Sequence, residues 1–84
     1  MFKLDILTPR KRVFSGEAAS LTAPGELGYL GILSNHAPLV TTLVPGKVAF
    51  REPSGGTQTL QSLGEGLLEV QHNQAVLLLD DVAA

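Results

Sequence analysis

The chain has 84 residues, of which 44% are apolar and 17% charged, with a formal net charge of −2 and no cysteine. That length suits one domain burying roughly 60–65% of the surface its unfolded form exposes, and the composition is too apolar and too weakly charged for disorder. Six Lys and Arg are too few for nucleic-acid binding led by phosphate contacts, and without cysteine neither a disulfide framework nor a thiolate metal site can hold the fold.

Taken in chain order, Phe2, Leu4 and Ile6 fall on one side of an extended segment and Lys3 and Asp5 on the other, the pattern of a half-buried strand. Thr8-Pro9 breaks that ladder, because proline carries no donor and pushes its predecessor toward extended geometry. Arg10, Lys11 and Arg12 read as a solvated turn. Val13-Phe14 resumes the strand briefly and Ser15-Gly16 turns again. Further strands are expected over 18–23, 30–33, 39–43, 47–52, 57–63, 67–71 and 75–80, with Val48 and Phe50 sharing a face.

Turn chemistry separates most of these segments. Pro53-Ser54-Gly55-Gly56 suits a hairpin loop, His72-Asn73 a two-residue turn, and Pro45-Gly46 and Gly64-Glu65-Gly66 punctuate in the same way. No segment sustains the three-to-four spacing of a helix. The fold class expected is all-β: a flattened antiparallel β-sandwich of about ten short strands, forming a single domain over residues 1–84. Residues 75–79 (Ala-Val-Leu-Leu-Leu) are apolar on both faces, which predicts a central strand whose second face is covered either by a partner or by loops of the same chain. That run is far too short to span a bilayer, and no export signal is visible at the N-terminus.

Chemistry is sparse. His36 and His72 are the only histidines, neither in a ligand-spaced motif. His36 has no acid near it in sequence to orient it as a base, and reads as a hydrogen-bonded loop residue. Glu65 and Glu69 read as solvated charges on one strand face. The glycines of residues 25–31 are followed by no helix and no Gly-Lys-Ser/Thr, so they do not form a phosphate loop. Lys47, after Pro45-Gly46, is the one arguable attachment lysine of a carrier domain, in the wrong surroundings for one. No catalytic residue, metal site or cofactor is expected.

Residues 31–39, Gly-Ile-Leu-Ser-Asn-His-Ala-Pro-Leu, resemble the Gly-Ile-Leu-Pro-Gly-His-Ala-Pro-Leu signature of the ε subunits of F-type ATP synthases, whose mitochondrial counterpart is called δ. Val13-Phe14-Ser15-Gly16, Pro45-Gly46-Lys47-Val48 and Gly66-Leu67-Leu68-Glu69-Val70 resemble three further blocks of that family, in order. The resemblance implies a β-sandwich of about ten strands in the central stalk, a non-catalytic rotor piece that binds the base of the γ subunit and rests on the membrane c-ring. It implies a c-ring interface at Glu26, Leu27, Gly28 and Tyr29, a γ interface at Thr8, Ala37, Val40 and Thr41, and a loop structured by His36 and Pro38. Tyr29 stands where many bacterial relatives have Glu, and Ser34-Asn35 replaces Pro-Gly.

Most bacterial relatives continue into a C-terminal helical hairpin that can block ATP hydrolysis, and the chain as given is expected to lack it. The function expected is mechanical coupling of proton flow to ATP synthesis, peripheral to the cytoplasmic face of the bacterial inner membrane, with γ and the c-ring as partners and no nucleic acid or small-molecule substrate. The alternative is a stand-alone β-sandwich binding or carrier module.

Overall fold

The computed structural model describes residues 1–83; Ala84, the last residue of the expected domain, lies outside them. Alternating side chains form ten strands: β1 Phe2–Leu7, β2 Arg12–Ala18, β3 Ser20–Gly25, β4 Gly28–Leu33, β5 Leu39–Leu43, β6 Gly46–Arg51, β7 Thr57–Ser62, β8 Gly66–Gln71, β9 Gln74–Leu79 and β10 Val82–Ala83. There is no helix among the described residues.

The strands run in the order β10-β7-β6-β3-β5-β8-β9-β1-β2, with β4 paired to the other edge of β3. The ladder folds over at β3–β5, where Gly25↔Leu43 is the single registered pair. One layer is therefore β2-β1-β9-β8-β5 and the other β4-β3-β6-β7-β10, and their inner faces meet as in a sandwich. The Cα trace extends 27 × 24 × 20 Å.

Register fixes what points inward. Leu4 pairs with Gly16 and Ala75, Ile6 with Phe14 and Leu77, and Leu77 with Leu68. Leu4, Ile6, Leu68 and Leu77 are fully buried, and Leu21, Ile32, Val48 and Phe50 from the other layer complete the same cluster. Each such side chain contributes roughly 1.5–3 kcal/mol on leaving water. Phe14 meets Phe50 with ring centroids 4.4 Å apart and the planes tilted by 45°, joining β2 to β6 across the sandwich.

The all-β, ten-strand expectation holds, and Val48 and Phe50 do share the buried face. Four details depart from the sequence reading. Ser15-Gly16 does not turn: β2 runs through it, and Gly16 leaves room for the Phe14 ring, 3.0 Å from where a Cβ would stand. The strand expected over 18–23 is split at Ala19, whose amide donates to the Arg51 carbonyl at 2.7 Å as the chain passes from one layer to the other. Glu65 precedes β8, so it does not share a strand face with Glu69. Finally, β1 and β9 run parallel, which their wide separation in sequence permits because the whole intervening domain serves as the crossover.

Candidate functional site: two unpartnered surfaces

The first surface is the β3–β4 hairpin. Its turn is Glu26-Leu27, closed by the pair Gly25↔Gly28. Gly28 adopts φ 129°, a conformation that side chains rarely take, and a Cβ on Gly25 would lie 2.9 Å from the Gly28 carbonyl; both positions need glycine. The turn carries Leu27 clear of the body, with a relative exposure of 105%. Tyr29 is 62% exposed, yet its hydroxyl accepts a hydrogen bond from the Lys47 amide at 3.1 Å. Between hairpin and body lies a hollow of about 490 Å³ bordered by residues 25–30 and by Val40, Thr41 and Thr42. All four residues of the expected ring-facing loop thus adjoin two of the expected γ-facing residues.

The second surface is the outer face of the layer containing β9. Leu78, 46% exposed, pairs with Leu67 on one side and Leu7 on the other, giving an apolar row across three strands. The next row is Val40–Glu69–Val76–Asp5, with Val40 63% exposed. Leu7 and Leu78 also floor a groove of about 660 Å³ walled by Thr8, Pro9, Arg10 and Lys11. Thr8 shapes that wall: its Oγ1 accepts from the Arg10 and Lys11 amides, each at 3.3 Å. Loops of the described residues therefore leave much of the second face of residues 75–79 open. Thr41 has the opposite parity to Val40, sharing the inward side with Leu39 and Leu43, and is partly buried.

The loop between β4 and β5 is tied to the β8–β9 turn through Asn35. Asn35, at φ 59°, takes a left-handed conformation that Asn tolerates and Gly prefers, which accounts for Asn35 where the signature has Gly. Its amide donates to Asn73 Oδ1 at 2.7 Å, and Asn73 Nδ2 donates to the Met1 carbonyl at 2.8 Å. His36 Nδ1 donates to the carbonyl of its neighbour Ala37 at 2.8 Å, within the same loop. Ala37 and Pro38 are exposed, so neither Ala37 nor Val40 belongs to the core. His72 sits exposed on the β8–β9 turn, where it and Asn73 have φ 50° and 56°, the left-handed pair of a tight hairpin.

Sequence reading missed the Leu7–Leu67–Leu78 row, whose one trace was the two-sided apolar run at 75–79. It also missed the clasp formed by Asn73. Lys47 lies within β6, not on a turn tip, which removes the geometry a carrier lysine needs. Among the described residues no three His, Cys, Asp or Glu stand close enough to hold a metal ion, and no helix is long and apolar enough to cross a membrane.

A small sandwich with an apolar tip and an open apolar sheet face belongs to the class of protein-binding modules. Residues 1–84 match the family model described as ATP synthase, Delta/Epsilon chain, beta-sandwich domain, and the chain belongs to that family. It is 44% identical over 82 residues to the ATP synthase epsilon chain of Dichelobacter nodosus, a match that covers 98% of this chain and 57% of that one. With the epsilon chain of Chlorobium limicola the identity is 45%, covering 98% and 92%. Thus the chain spans little more than half of some relatives and nearly all of others. Among solved structures, a chain of the Euglena gracilis mitochondrial ATP synthase (OSCP/F1/c-ring) shares the fold with a TM-score of 0.88 at 18% identity, covering 95% of this chain and 51% of that one. A chain of the Tetrahymena thermophila mitochondrial ATP synthase central stalk and c-ring gives 0.82 at 18% identity, covering 96% and 64%.

Proposed function

We propose that this chain is a non-catalytic rotor subunit of a proton-translocating F-type ATP synthase, gripping the γ subunit and the c-ring and passing torque between them. The observation that carries the reading is Leu27, wholly exposed on a turn whose two flanking glycines hold it away from the body. A large apolar side chain kept in water by a specialised turn gains most from insertion into a partner. Glu26, Leu27, Gly28 and Tyr29 form the c-ring contact. Val40, Ala37 and Thr8 face γ, supported by the exposure of Val40 and by the apolar row beside it; Thr41 borders the hollow between the two contacts. His36 and Pro38 shape the loop that presents Ala37. The chain acts as one domain, peripheral to the cytoplasmic face of the bacterial inner membrane through the complex.

The absence of cysteine from these 84 residues makes a single introduced thiol the one reactive thiol among them. Leu27→Cys in the assembled synthase should cross-link to the c-ring and Val40→Cys to γ, each with a short bifunctional reagent. Failure of Leu27→Cys to reach the ring, with the subunit present in the complex, would overturn the assignment of the tip.

A further inference from the structure

The hairpin tip is held to the body by more than its own ladder. The β3–β6 ladder ends at Thr22↔Ala49, and two residues further along the same register Lys47 stands opposite Pro24. The Pro24 carbonyl, which would continue the ladder to the Lys47 amide, already accepts from the Val44 amide at 2.8 Å, where β5 replaces β6 along that edge. The β3–β6 ladder thus stops short of the Lys47 amide. Tyr29 is the direct partner of Pro24 in the β3–β4 register, and its hydroxyl reaches the Lys47 amide at 3.1 Å. Gly46 leaves the space: a Cβ there would stand 3.0 Å from Pro24 Cβ and 3.3 Å from the Tyr29 hydroxyl.

We propose that Tyr29 is a positioning residue whose hydroxyl takes the place of the Pro24 carbonyl that Val44 has engaged, accepting from the Lys47 amide, and so fixes the direction in which Leu27 leaves the body. The hydrogen bond ties β4 to β6 across β3, and a load applied at the tip reaches the sandwich through it as well as through the Gly25–Gly28 turn. The inference rests on the reading of the tip as a partner contact, but the brace itself can be tested in the isolated chain.

The test is Tyr29→Phe, which keeps the ring and removes the acceptor. Amide hydrogen exchange of Lys47, followed by NMR, should accelerate about two- to tenfold, the range set by one net hydrogen bond, while amides of β8 and β9 keep their rates. In the assembled synthase, Leu27→Cys combined with Tyr29→Phe should cross-link to the ring in lower yield than Leu27→Cys alone. Unchanged Lys47 exchange overturns the brace. Faster exchange at Lys47 with an unchanged cross-linking yield overturns its positioning role. If Leu27→Cys fails to cross-link even with Tyr29 in place, the tip assignment fails instead, and Lys47 exchange still decides whether the brace exists.

Discussion

Leu27→Ala separates binding from folding most cleanly. The substitution removes three carbons, each worth about 0.8 kcal/mol when buried, so a tip inserted in a partner loses about 2.4 kcal/mol, or about fiftyfold in Kd. In the free chain the same side chain is wholly exposed, so stability should change by less than about 0.5 kcal/mol and Tm by less than about 4 °C. The assay is fluorescence anisotropy of the labelled chain titrated with purified γ–c-ring rotor, alongside calorimetry of the chain alone. A Kd within twofold of the parent's would refute insertion of the tip, and a Tm drop of 10 °C or so would refute the exposure from which the magnitude is worked.

Leu77→Ala should do the reverse: Leu77 is fully buried between Ile6 and Leu68, and its loss should cost about 2.7–5 kcal/mol, lowering Tm by at least about 10 °C. Asn73→Gly keeps the left-handed turn but deletes the clasp to Asn35 and Met1, and Asn73→Ala also strains the turn; urea midpoints should fall in the order parent, Gly, Ala, with about 1–2 kcal/mol between the last two. Gly66→Ala would set a Cβ 2.8 Å from the Leu78 carbonyl and should cost about 1–3 kcal/mol by overpacking, read from the same denaturation curves.

Much of the fold was legible because a half-buried strand writes its inward face into every second residue. Phe2-Leu4-Ile6 and Val48-Phe50 show this directly, and the left-handed pair His72-Asn73 was readable from the tolerance of Asn for that conformation. The crossing at Ala19 was not legible, since the stretch from Glu17 to Leu21 contains neither Gly nor Pro and small residues pass from layer to layer without a turn signal. β10, with two residues, is too short to leave a period. The parallel pairing of β1 with β9 depends on contacts between the ends of the chain, which local pattern does not encode. At the candidate site, Glu26-Leu27-Gly28 was locatable through resemblance, but the separation of Val40 from Thr41 onto opposite faces follows from the register of β5. The Tyr29–Lys47 bond needed three strands in place before it could be seen.

The central claim is that this sandwich grips the rotor, and a pull-down from membranes containing the cognate ATP synthase tests it most directly. The tagged chain should recover γ together with the c-ring, and Val40→Asp, which puts a charge on the exposed sheet face without touching the core, should lose γ. Recovery of neither subunit from competent membranes, or equal recovery of γ by Val40→Asp, would contradict the account.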